Sequence, residues 1–129
     1  ITGTNSDQNH QSIVNFLKKF CKLNPQHATY INSLGRNNYL SAIYNCSFML
    51  GNSSSGIIEA ASFGKYVVNV GNRQKGRVQS DNIINVPFED LSICLAAATV
   101  LEKGVFKGGN VYCKKEVAES IIKIVKKIL

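Results

Sequence analysis

The sequence predicts an α/β fold in which a parallel sheet is covered by helices on both faces. Three observations predict it. Apolar runs of strand length alternate with helical segments, glycine and small polar residues punctuate the handovers, and 129 residues is the length of one domain. Short strands that are apolar on both faces need cover on both sides, which the helical crossovers of a parallel sheet supply.

The elements follow in chain order. Ile1-Thr2-Gly3-Thr4 reads as the end of a strand already under way, so the chain is expected to be a piece of a larger protein. Ser6-Asp7 offers N-cap oxygens, and Ile13, Phe16, Leu17 and Phe20 keep the i, i+3, i+4, i+7 spacing of one helix face. Asn24-Pro25 ends that helix, because proline cannot donate the next backbone bond. Residues 28–31 read as a short strand, and residues 37–44 as a second helix with Leu40 and Ile43 on one face. Ser47-Phe48-Met49-Leu50 is a strand-length apolar run leading into Gly51-Asn52-Ser53-Ser54-Ser55-Gly56, after which Ile57-Ile58-Glu59-Ala60-Ala61 begins a third helix that Gly64 closes. Tyr66-Val67-Val68-Asn69-Val70 is the next strand, residues 71–77 form a basic loop, and residues 81–86 form one more strand. Pro87 and Glu89-Asp90 open a helix carrying Leu91, Cys94, Leu95, Ala98 and Leu101. A glycine-rich stretch, residues 104–110, leads to a last helix with Val117, Ile121, Ile124, Val125 and Ile128 on one side. Lys123, Lys126 and Lys127 lie on the far side, near the C-terminus, where the helix dipole favours cations. The result is a Rossmann-like lobe spanning residues 1–129, with no internal repeat or linker.

Composition bounds the function. Apolar residues make up 44% and charged residues 18%, and no apolar run is long enough to cross a bilayer, which argues against a disordered or helical membrane-spanning chain. Fifteen Lys and Arg against eight Asp and Glu leave a net charge of +7, which favours an anionic partner such as a phosphate. Cys21, Cys46, Cys94 and Cys113 show no metal-ligand spacing, so idle thiols of a cytoplasmic protein are expected, with no metal and no disulfide framework. His10 and His27 stand far apart and suggest solvated or capping roles.

In an open α/β sheet, ligands sit beyond the carboxyl ends of the strands, and two loops there have unusual composition. In the first, Gly51 and Gly56 allow close backbone approach, Asn52 belongs to the supporting loop, and Ser53 and Ser54 add hydroxyls and N–H groups at a helix start, a combination suited to phosphate or diphosphate. A serine-rich helix cap with nothing bound would carry the same residues. No lysine follows Gly56, so this is not a Walker loop. Glu59, in the same helix, can accept two hydrogen bonds from a ribose diol, although the helix dipole alone also favours glutamate near a helix start. The second loop brings Arg73, Lys75 and Arg77 after the neighbouring strand, where they suit a phosphate or are simply solvated.

Gly51 to Ala60 read in full, Phe63-Gly64, Val67-Val68-Asn69-Val70-Gly71 and Arg73-Gln74-Lys75-Gly76-Arg77 together resemble the UDP-N-acetylglucosamine 2-epimerases, most closely the hydrolysing branch that begins sialic- and nonulosonic-acid synthesis. Asn5-Ser6-Asp7, Ser33-Leu34-Gly35-Arg36 with Tyr39-Leu40-Ser41-Ala42, and the Gly-Gly-Asn stretch before the last helix extend the likeness over essentially the whole chain. The resemblance implies a GT-B architecture, with this chain as its C-terminal, UDP-holding lobe and the N-terminal lobe elsewhere. It implies that Ser53 and Ser54 hold the diphosphate, that Glu59 holds the ribose, and that Arg73 and Asn5 complete the UDP site. Tyr66 departs from the proline of many members, and no counterpart of the family's Lys or His stands at Asn32-Ser33.

The implied reaction removes UDP from the sugar as the C2 proton is taken, then adds water across the glycal, giving UDP and an N-acetylmannosamine-type sugar without a cofactor. The acid and base groups are expected on the other lobe, so no catalytic residue is expected here and the chain alone should turn nothing over. The absent first strand would be central in the usual winding, so either the Ile1 and Phe48 strands pair or an exposed edge drives association with another copy. Partners are therefore a UDP-sugar, the N-terminal lobe and a second copy, with neither membrane nor nucleic acid. Two alternatives stay open: a GT-B glycosyltransferase lobe, against which the Asn-Arg-Gln-Lys-Gly-Arg loop argues, and a basic nucleic-acid-binding module, which needs a continuous basic stripe.

Overall fold

A computed structural model describes residues 1–3 and 10–128. Its elements are α1 (His10–Leu23), α2 (Gly35–Asn45), β1 (Met49–Gly51), α3 (Ser54–Ile58), β2 (Val67–Val70), β3 (Ile83–Val86), α4 (Asp90–Lys103) and α5 (Val117–Ile128). The chain divides into two compact units, Ile1–Ser41 and Ala42–Leu129, and the division falls within α2.

In the first unit α1 buries Val14 and Cys21, while Phe16, Phe20 and Leu23 of the same amphipathic helix are exposed. Its end is where Asn24-Pro25 predicts it, and the Asn24 side chain donates to the Phe20 carbonyl at 2.9 Å, satisfying one of the helix's last acceptors. The capping residues Ser6-Asp7 lie outside the described residues. The strand expected over residues 28–31 shrinks to one parallel bridge between Thr2 and Ile31. Backbone bonds from Gly3 to Ile31 and from Ile31 to Ile1 hold it, at 3.0 and 2.9 Å.

The second unit holds a parallel sheet of order β1-β2-β3 with helices against it, the Rossmann-like α/β arrangement predicted. Side chains alternate between the two sheet faces. Val68, Val70, Ile84 and Val86, with Phe48 and Tyr66, pack on one face around Ala96 and Val100 of α4. The opposite face presents Val67 to α3, and Gly56 lies so close that an added Cβ would stand 3.1 Å from Val67 Cγ1. Tyr66 meets Phe106 edge-on at 5.5 Å, and the Phe106 N–H donates to the Gly64 carbonyl, so the segment after α4 returns to the start of β2.

Several boundaries differ from expectation: the second helix runs Gly35–Asn45, the strand read at residues 47–50 is Met49–Gly51, and β2 begins at Val67. The third helix begins at Ser54 rather than at Ile57, because the serines themselves form its first turn. It then tightens at Glu59 into a 3₁₀ turn, Ala60–Phe63, that ends on Gly64 at φ 67 and ψ 29, a left-handed conformation glycine adopts without penalty. The strand expected from Asp81 starts at Ile83, since Asp81-Asn82 form a turn whose Asn82 carbonyl receives the Val67 N–H. Along α5 the amphipathic spacing is present, but every described residue of the helix is exposed.

Candidate functional site

Register places Gly51, Asn69 and Asn85 side by side at the carboxyl ends of the three strands. From that row the chain leaves β1 through Gly51, whose φ of 145° is available to glycine and to few other residues. Asn52 follows, and then Ser53, the N-cap of α3 in extended conformation. The Ser53 hydroxyl does not cap the helix. It lies 3.0 Å from the Ser55 hydroxyl instead, so the helix's leading N–H groups are not taken up by that cap. Ser54 is the first helical residue, and Gly56 lets this turn sit directly on β2.

The loop of residues 71–77 is bonded to the serine loop through the Asn52 carbonyl. Arg73 Nη1 donates to the Asn52 carbonyl at 3.1 Å, and Gln74 Nε2 donates to the same oxygen at 2.7 Å. Among the three cations of that loop, Arg73 is the one joined to the serine loop; Lys75 and Arg77 are exposed on the turn beyond. Glu59 sits half-buried at the C-cap of α3, its N–H bonded to the Ser55 carbonyl at 2.8 Å. Ser53, Ser54 and Arg73 are therefore gathered at one end of the sheet, with Glu59 at the far end of the same short helix. Asn5 lies outside the described residues.

Three supporting features were not singled out from the sequence. Gln74 is almost wholly buried within an otherwise exposed basic loop, and no spacing rule distinguishes it from its neighbours. Asn110 donates to the Ile58 carbonyl at 2.8 Å and to the Ser62 hydroxyl at 2.7 Å, clamping the junction at which α3 becomes the 3₁₀ turn beside Glu59. Asn69 donates to Asn85 at 2.7 Å and Asn85 to Gln79 at 2.8 Å, an amide chain across β2 and β3. A readable signal existed for this chain, since asparagine is uncommon in apolar strands and here recurs at matched positions.

Elsewhere in the unit, a cavity of about 230 Å³ is lined by Cys46, Ser47, Gly64, Lys65, Val100, Leu101, Gly104 and Val105. Burial pushes the Cys46 thiol above its ordinary range, although Lys65 pulls the other way. Among the described residues no cluster of His, Cys, Asp or Glu could hold a metal ion, and no helix is long and apolar enough to cross a membrane.

Fold and site together define a Rossmann-like α/β unit whose anion-suited loops lie beyond the carboxyl ends of its strands. The profile of the family described as UDP-N-acetylglucosamine 2-epimerase matches residues 1–126, and the chain belongs to that family. It is 40% identical over 90 residues to a GDP/UDP-N,N'-diacetylbacillosamine 2-epimerase (hydrolyzing) of Campylobacter jejuni, covering 70% of this chain and 23% of that protein. It is 42% identical over 98 residues to the UDP-N,N'-diacetylbacillosamine 2-epimerase (hydrolyzing) of Legionella pneumophila, covering 76% and 26%. With the polysialic acid biosynthesis protein P7 of Escherichia coli the identity is 40% over 92 residues, covering 70% and 23%. The chain thus spans about a quarter of the length of these relatives.

Proposed function

We propose that this chain is the nucleotide-holding lobe of a cytoplasmic, hydrolysing UDP-sugar 2-epimerase, with residues 1–129 acting as one lobe. The observation that carries the reading is the double hydrogen bond on Asn52, which joins a serine-rich helix start to a cationic loop at the carboxyl ends of adjacent parallel strands. Ser53 and Ser54 with Arg73 would receive the diphosphate, and Glu59 the ribose hydroxyls, with Asn5 as a further contact. Gly51, Asn52 and Gly56 would support the loop, and Lys75 and Arg77 would add positive potential.

On this reading the substrate is UDP-N-acetylglucosamine or a related UDP-diacetamido sugar. The names of the Campylobacter and Legionella relatives favour the diacetamido form. Elimination of UDP with loss of the C2 proton, then addition of water with its hydroxyl at C1 and a proton at C2, yields UDP and the epimerised sugar. The acid and base groups would come from the N-terminal lobe, and a second copy would complete the assembly.

Calorimetric titration of the chain with UDP tests the reading. Binding is expected, and Ser54→Ala and Glu59→Ala should each weaken it by about tenfold, the loss of a hydrogen bond to a charged partner. The chain alone should release no UDP from either UDP-sugar. A folded chain that ignores UDP, or variants that bind as well as the parent, would overturn the assignment; binding of an oligonucleotide in its place would favour the nucleic-acid module.

A further inference from the structure

We infer that Gln74 is a positioning residue that sets the orientation of the peptide unit joining Asn52 to Ser53, and so aims the Ser53 N–H at the diphosphate; the inference rests on the nucleotide-lobe reading above. Gln74 is 2% exposed, whereas Asn72, Arg73, Lys75, Gly76 and Arg77 around it are exposed. Its Nε2 donates to the Asn52 carbonyl at 2.7 Å, a shorter bond than the 3.1 Å from Arg73. Its Oε1 is buried and has no hydrogen-bond partner. Burying an amide with one atom unsatisfied is costly compared with burying an apolar side chain of the same size. Packing alone therefore favours methionine or leucine at this position, and what glutamine adds is the donor.

That donor reaches the backbone where orientation matters. The carbonyl of Asn52 and the N–H of Ser53 belong to one planar peptide unit, and in a trans peptide they point in opposite directions. Drawing the carbonyl toward the 71–77 loop turns the Ser53 N–H away from it. Ser53 is the N-cap of α3, and its hydroxyl lies on the Ser55 hydroxyl and not on the backbone N–H groups of the turn, which leaves their orientation to the backbone. Arg73 grips the same oxygen from an exposed position and is itself a candidate ligand for phosphate. Gln74, buried and uncharged, keeps the peptide oriented when Arg73 turns to the ligand.

The test compares the parent chain with Gln74→Met, which keeps side-chain length and removes the donor. In ligand-free isotope-labelled samples, the Asn52 carbonyl and Ser53 amide resonances should move while those of Val68 and Val100 stay. UDP affinity should fall by about tenfold, with uridine binding, followed by saturation transfer, unchanged within about twofold. Should the variant fail to fold, scalar coupling across the hydrogen bond between the Gln74 amide and the Asn52 carbonyl in the parent chain decides the matter, and its absence overturns the inference. Unmoved Asn52 and Ser53 resonances, or equal losses for UDP and uridine, also overturn it. A parent chain that binds no UDP defeats the nucleotide reading instead, and the orienting role then stands or falls on the resonances.

Discussion

Replacing Gly56 by alanine sets two effects of known size against each other. Gly56 lies inside α3 without a positive φ, so alanine's higher helix propensity would stabilise by about 1 kcal/mol. The new Cβ would stand 3.1 Å from Val67 Cγ1 and 3.8 Å from Cγ2, the first well inside the 3.5–4.0 Å optimum for carbon pairs. Whether Val67 can yield decides the sign. It is 3% exposed, its β-branched side chain has restricted χ1, and its strand is hydrogen-bonded on both sides, so relief must come from moving α3. Overpacking of this kind costs about 1–3 kcal/mol, which outweighs the propensity gain. Gly56→Ala should therefore lose about 1 kcal/mol net, a fall of about 4 °C in Tm by calorimetry. Because the cause is one contact, Val67→Ala should reduce the penalty, and the double variant should be more stable than the sum of the single effects. A Tm for Gly56→Ala equal to or above that of the parent, or strict additivity with Val67→Ala, would refute the reasoning.

Asn110→Ala removes both bonds to the α3 junction and leaves the Ile58 carbonyl without its side-chain donor, so a loss of about 1–2 kcal/mol is expected in urea unfolding, and an unchanged midpoint would count against the clamp. The Cys46 thiol, raised by burial above its ordinary value of 9.0, should react with iodoacetamide more slowly at pH 8 than exposed Cys94 and Cys113. The same shift carries a sign for stability: the neutral thiol favours the folded state, so its contribution is full below pH 9 and is lost as pH rises through the raised value. Thermal melts of the parent against Cys46→Ser across that range should show the parent losing more stability with pH.

Most elements could be read from local pattern because each depends on chemistry within a few residues. Asn24-Pro25 stops α1, Gly64 closes the third helical segment, and the valines of residues 67–70 form β2 where they are expected. Reading fails where a partner distant in sequence decides. Residues 28–31 contain strand-forming residues, but a strand needs a ladder, and among the described residues only Thr2 meets Ile31. The apolar side of α5 has helical spacing that says nothing about whether a partner covers it, and in the described chain none does.

The candidate site divides the same way. Sequence alone determined the residue types at the strand ends: glycines where backbone must turn, serines where a helix starts, cations in the following loop, and the family to which the pattern belongs. Only the tertiary structure decided which of them act together. Arg73 reaches Asn52 across 21 positions and Gln74 across 22, while Lys75, equally cationic, is exposed. Asn110 closes on Ile58 from 52 positions downstream. The physical reason is that helix caps and turns are settled by neighbours along the chain, whereas burial of an amide and the carbonyl it finds depend on parallel strands bringing separate loops to one edge.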